Sequence, residues 1–280
     1  MRIDYDKKFF NGKSAFENVA DLQNKICTAK ETNIDVYLTN SFRYGKTFVF
    51  LLGCLIVLSV QFGKRLKLYL PNKRLMDHVR EMGIWDYYRL KRKDLHTFFR
   101  LENPTDVIQL VARNLEDAPI QMTDKLNEAL VSIIGEVYNN AVEHSEAKYV
   151  MGGCYKKLRK KLYFSCYDTG VGIISNVKNY FNINGLPSYD KFEINAKLLG
   201  WAFGKGHSTK PQPRGVGFDW LLDFAKINHG RVTICNNDVL FVQNPQGEKH
   251  FAELQNPFRG TFFELEIVET RDVIYKLKGE

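Results

Sequence analysis

Apolar residues at Leu126, Leu130, Ile133, Ile134, Val137 and Ala141 recur at three- and four-residue steps through LNEALVSIIGEVYNNAVEHS. That spacing predicts a helix with one buried face. A second apolar stretch, TFVFLLGCLIVLSVQFG from Thr47 to Gly63, is uniform rather than periodic and carries no charge. Its length is at the short limit for a membrane span. Charged, strand-like sequence returns at once on both sides and no aromatic belt flanks it, so it predicts a helix buried in an α/β core. NIDVYLTN (Asn33 to Asn40) and RLKLYLP (Arg65 to Pro71) read as strands, the first rich in β-branched residues and closed by a turn signal. NKRLMDHVREMGIWDYY follows as an amphipathic helix. The resulting βαβα order implies neighbouring parallel strands with right-handed crossovers.

Residues 89–125 read as a connector, with basic RLKRKD, a capping signal at Asn103-Pro104-Thr105-Asp106 and a short apolar helix, VIQLVARNL. Beyond the long helix, Ala147 to Tyr155 and Lys161 to Asp168 predict a hairpin. Val177 to Phe203 is helical and loop sequence, and Phe218 to His229 is a helix. Strands are expected at Arg231 to Cys235, Val239 to Val242 and Thr261 to Val268. The organisation expected is α/β throughout, in two closely packed units, 1–105 and 106–280. The second would be an α/β sandwich with a mixed sheet covered by helices on one face.

Composition narrows the field. The 280 residues are 44% hydrophobic, enough for real cores in two units, and carry a net charge of +8 with a pI near 9.1. The positive charge is dispersed except at Lys156-Lys157-Leu158-Arg159-Lys160-Lys161. That run lies between two strand-like segments and reads as a solvated hairpin turn. There is no arginine-rich arm, zinc-finger spacing or RNA-binding aromatic motif, so a nucleic-acid partner has only the modest charge behind it. Five cysteines without metal spacing, several in apolar runs, suit reduced thiols in the cytosol. The opening MRIDYDKKFF is too charged for a secretion signal. The expectation is a cytoplasmic protein without a membrane span.

The chemistry centres on EVYNNAVEH. Glu136 and Asn140 are four apart and share one helix face. A carboxylate there can polarise a water, and an amide oxygen one turn on can coordinate a hard cation such as Mg²⁺. Taken alone, the pair also reads as the polar edge of an ordinary amphipathic helix. Three further pieces follow in order: Asp168-Thr169-Gly170-Val171-Gly172-Ile173 after a strand, Gly204-Lys205-Gly206 leading through a polar stretch to Arg214-Gly215-Val216-Gly217-Phe218, and Gly260-Thr261 opening FFELEI. As a set they resemble the GHKL family of ATP-binding domains, which includes type II topoisomerases, heat-shock chaperones, mismatch-repair proteins, histidine kinases and anti-sigma-factor kinases. The resemblance covers roughly Thr123 to Ile267. No GxxxxGK[ST] phosphate loop is present.

The resemblance implies ATP and Mg²⁺ as ligands. Glu136 would position or activate the attacking nucleophile, Asn140 would bind Mg²⁺, and Asp168 would accept the adenine amino proton. Gly170 and Gly172 would let the backbone approach the base, and Thr261 would reach the adenine pocket from a neighbouring strand. His144 would contact phosphate or compensate the helix dipole. Gly204 to Gly217 would form a lid: Lys205, Lys210 and Arg214 supply charge, and Gly206, Ser208, Thr209, Gly215, Val216 and Gly217 supply donors and close backbone approach. Phe218 stands where family lids carry leucine, and Pro211 and Pro213 stiffen the segment. The first unit resembles a STAS domain in its order of elements. Asn40-Ser41-Phe42-Arg43 occupies the turn where that family carries its phosphate-accepting serine, though without the preceding aspartate, so Ser41 also reads as a capping or turn serine. Together these imply a regulatory protein that uses Mg-ATP for phosphotransfer to a protein or for hydrolysis. The alternatives are an ATPase switch acting on a protein partner or on a second copy, and a nucleotide sensor without turnover.

Overall fold

The computed structural model describes residues 1–7, 12–39, 44–84, 98–100, 108, 111–112, 115, 123–157, 161–182, 191–207, 209 and 218–268. Within them the chain begins β1 (Arg2–Tyr5), α1 (Lys13–Thr28), β2 (Asn33–Leu38), α2 (Lys46–Gln61), β3 (Arg65–Tyr69) and α3 (Lys73–Glu81). The three strands pair parallel in the order β1-β2-β3. β2, α2 and β3 fall where the hydropathy pattern puts them; α3 starts there but stops at Glu81, short of the expected Tyr88, and residues 85–88 of that stretch lie outside the described residues. α3 starts on Asn72, whose side chain accepts from the Leu75 amide, and ends within two residues of Gly83, at φ 70°.

β1 and α1 precede the elements legible in the sequence. β1 has four residues, too few to stand out, although RIDY alternates exposed and buried as a half-buried strand should. α1 has no side-chain cap at Gly12, and its buried face includes polar Asn18 and Gln23. Both departures weaken the helical signal.

After β4 (Phe98–Arg100) come α4 (Asp124–His144), β5 (Val150–Lys157), β6 (Lys161–Asp168), α5 (Ile173–Tyr180), α6 (Lys191–Ala202), α7 (Phe218–Ile227), β7 (Arg231–Gln243) and β8 (Lys249–Val268). The second sheet has the order β4-β5-β6-β8-β7, and every pairing in it is antiparallel. It is therefore not the mixed sheet the sequence suggests. Its chain-adjacent strands β5–β6 and β7–β8 are hairpins, which can only be antiparallel. The β5–β6 ladder closes at the pair Lys157–Lys161, and residues 158–160 between them, the middle of the basic run, lie outside the described residues. β7 runs unbroken through Asn236-Asn237-Asp238, with register shifts there and Asn237 at φ 56°.

Two cores flank this sheet. One packs α4 to α7 against Phe164, Val232, Ile234, Phe263, Leu265 and Ile267. The other lies on the opposite face. There Met151, Tyr167, Phe258 and Phe262 meet α1, α2 and the inner face of the parallel sheet. Helices thus cover both faces rather than one. The position of α2 explains its composition, because it packs against β3 on one side and β6 on the other. Every residue from Phe48 to Ser59 is buried, and a helix apolar all round is one buried all round. Among the described residues no helix is long and apolar enough to cross a membrane.

Candidate functional site

α4 begins on Thr123, whose hydroxyl accepts from the Leu126 amide. Its Tyr138 is fully buried and donates to the Ser165 carbonyl at 3.2 Å and the Gly153 carbonyl at 3.4 Å. This pins the helix across β5 and β6. Glu136 and Asn140 lie together on one flank of the buried stripe, both half-buried. Ser145 closes the helix, its hydroxyl donating to the Ala141 carbonyl while accepting from the Ala147 amide. His144 is the last helical residue; its side chain lies outside the described residues.

The loop Asp168–Gly172 docks directly on that helix end. The Val171 amide donates to the Ser145 carbonyl at 2.9 Å. A Cβ on Gly170 would lie 1.8 Å from the same carbonyl oxygen, so no other residue fits without the loop lifting off. Thr169 binds Tyr149 through its amide and hydroxyl, and its carbonyl accepts from Gln61 Nε2 at 3.3 Å. Gly172, at φ 84°, lies against the side chain of Asn236. The two glycines thus have a packing role within the protein, in addition to any approach to a base. α5 starts at once, with the Ile174 amide donating to Asn236 Oδ1 at 2.9 Å.

Asp168 and Thr261, 93 positions apart in the sequence, are register partners on β6 and β8. Asp168 is 4% exposed. Its Oδ1 accepts from the Gly170 amide at 2.9 Å, and it is also hydrogen-bonded by the Thr261 side chain and backbone. Burial raises its pKa from 3.8 to about 6, and the Gly170 and Thr261 hydrogen bonds hold the rise in check. A buried acceptor of this kind discriminates strongly for a ligand donor over its absence.

α6 runs into a turn that keeps the start of the expected lid in view. Lys205 and Gly206 are exposed, Thr209 is half-buried, and His207 stacks on Trp201 with centroids 4.7 Å apart. Phe203, just before the lid, meets Phe218, just after it, at 5.4 Å. Its two ends are therefore held together. Ser41, Ser208, Lys210, Pro211, Pro213, Arg214, Gly215, Val216 and Gly217 lie outside the described residues.

The arrangement brings together the C-terminal end of α4, the Asp168–Gly172 loop and Thr261. Two residues absent from the sequence reading hold it: Asn236 from β7 and Gln61 from α2. Asn236 has a visible signal, a polar Asn-Asn-Asp run interrupting an apolar strand. Gln61, at the end of an apolar helix, has none. Comparison with models of known protein families finds no match, and comparison with curated proteins finds no significant one.

Proposed function

We propose that this chain is an ATP-binding regulatory protein with a GHKL-type site in its second unit and a STAS-like first unit, and that it uses Mg-ATP to switch an interaction with a protein partner. The observation that carries the reading is the docking of the ExxxN helix end on the Asp168–Gly172 loop, Val171 amide to Ser145 carbonyl, beside the Asp168–Thr261 pair. Three motifs far apart in the sequence, the end of the ExxxN helix, the Asp168–Gly172 loop and Thr261, meet there.

In this reading Asp168 accepts from the adenine amino group and Thr261 supports it. Glu136 holds and polarises the attacking water. Asn140 offers one hard oxygen ligand. A Mg²⁺ there would be held chiefly by phosphate oxygens and water. Bound there, Mg²⁺ would offset the charge developing on the phosphates.

The hydrogen bond from Gln61 to the Thr169 carbonyl favours the switch over an isolated ATPase, because it ties the first unit to the base loop. Phosphotransfer to a protein hydroxyl is the second reading, resting on the STAS-like order of elements. The test is incubation of purified protein with Mg²⁺ and γ-labelled ATP. Bound ATP and free phosphate are expected, with release abolished in Glu136→Ala and binding retained. Label on the protein or on an added partner would shift the reading to phosphotransfer. Bound ATP with neither product leaves a sensor, and absence of ATP binding overturns the site.

A further inference from the structure

One row of the antiparallel sheet carries three polar residues side by side. Asp168 pairs with Thr261, and Thr261 pairs with Asn236 on the other side. Register partners point to the same face of a sheet, so the row forms a continuous polar strip across β6, β8 and β7. All three side chains are nearly inaccessible, with Asn236 at 3% exposed.

Asn236 spends both ends of its amide on this strip. Its Oδ1 accepts from the Ile174 amide at 2.9 Å, which caps α5 from another element. Its Nδ2 donates to the Gly260 carbonyl at 3.0 Å and makes a longer contact of 3.5 Å with Thr261 Oγ1. The amide orientation is unambiguous, because an N–H faces Oδ1 and a carbonyl faces Nδ2. Since Nδ2 can only donate, the Thr261 hydroxyl must accept from it and turn its own proton elsewhere. Asp168 is the acceptor next to it, and the Thr261 side chain does hydrogen-bond that carboxyl.

We propose that Asn236 is the positioning residue of the base pocket: it fixes the Gly172–Ile174 end of the loop onto β8 and sets the direction of the Thr261 hydroxyl, so that Asp168 presents a free lone pair to an exocyclic amino group. This rests on the ATP reading above and adds to it the residue that would make the pocket selective for a 6-aminopurine. Asn236 itself touches no ligand in this scheme; it acts through Thr261 and the loop.

The experiment compares binding of ATP and of inosine triphosphate, which carries a carbonyl in place of the amino group, to the wild type, Asn236→Ala and Asn236→Asp. The wild type should prefer ATP. In Asn236→Ala, ATP affinity should fall about ten- to hundredfold while inosine triphosphate changes less than about threefold, because only the matched donor loses its oriented acceptor. Asn236→Asp keeps the acceptor for Ile174 but removes the donor to Gly260 and Thr261. It is close to isosteric and should lose the preference too, even if the alanine variant folds poorly. Equal weakening of both nucleotides, or an unchanged preference in Asn236→Asp, would make the residue merely structural and overturn the proposal. A wild type that binds ATP without preference over inosine triphosphate overturns it as well while leaving the ATP site standing. A wild type that binds neither removes both.

Discussion

The parallel sheet alternates buried positions with exposed ones along β1 and with mostly half-buried ones along β2, whereas β6 of the antiparallel sheet is buried at every position after Lys161. This reverses the usual allocation, in which parallel sheets are covered on both faces and antiparallel sheets leave one face to water. The cause is the stacking order. α1 and α2 lie between the sheets and serve both, so the inner position falls to the antiparallel sheet, and among the described residues no helix packs on the outer face of the parallel one. On that outer face Arg2 lies 4.1 Å over Tyr37, Tyr37 stacks on Tyr69 at 4.0 Å, and Lys67 lies 5.0 Å from Tyr69. On the inner side the sheets are joined by apolar rings and by buried polar bonds. Thr47 and Ser165 both donate to the Glu264 carboxylate. Gln23 and Arg259 bind each other through side chain and backbone. The lesson is that layer position, more than strand direction, sets what a strand may carry.

The sharpest way to break this arrangement is at Phe262. It is fully buried and its ring lies 5.2 Å from Phe16 on α1 and 6.1 Å from Phe50 on α2. Phe262→Ala should cost about 3–5 kcal/mol, the usual penalty for emptying a large ring from a core. Chemical denaturation should show one transition shifted as a whole. Two separated transitions would mean that the units unfold independently and that the shared core contributes little.

A smaller effect of opposite sign is expected at Asp168. Its pKa is raised from 3.8 to about 6, so its contribution to stability is fully present below the unfolded value and lost as pH rises through the folded one. The cost of holding it ionised is about 3 kcal/mol at neutral pH, at about 1.4 kcal/mol for each pH unit. Asp168→Asn should therefore stabilise the ligand-free protein at pH 8 by about 1–3 kcal/mol, less whatever the Thr261 bonds lose. The gain should vanish near pH 4, and ATP affinity should fall. Equal stability of the two proteins at pH 8, or a difference independent of pH, would remove the claim that the carboxyl is held against its preference.

How much of this was legible in the sequence differs between the two layers. α2, α4 and β6 announce themselves because continuous burial or strict periodicity leaves no other reading. The meeting of the α4 end with Asp168 and Thr261 was legible only through a resemblance of motifs, since nothing local pairs β6 with β8. β1 was too short to register, and Gly12 gave α1 no capping signal. Asn236 and Gln61 act through partners far away in the chain, so their polar character is visible and their roles are not. The antiparallel sense of the second sheet follows from its hairpins, yet the polar run Asn236-Asn237-Asp238 interrupts the apolar pattern and conceals the length of the continuous β7.

The smallest expected effect is at Tyr37, and it tests the outer layer directly. Its ring is shared between the Arg2 guanidinium and Tyr69, on strands whose neighbouring outward positions Arg2 and Lys67 are exposed. Exposed cross-strand pairs and cation–ring contacts contribute roughly 0.2–1 kcal/mol each, and water replaces much of what is lost. Tyr37→Ala should therefore lower stability by about 1 kcal/mol or less, measured in the same denaturation experiment as Phe262→Ala. Its weakness follows from the same stacking order that makes Phe262 costly: one residue faces two packed helices and the other faces solvent. If Tyr37→Ala instead cost as much as emptying the core, the outer face of the parallel sheet would be covered in solution, and the contrast between the two sheets would collapse.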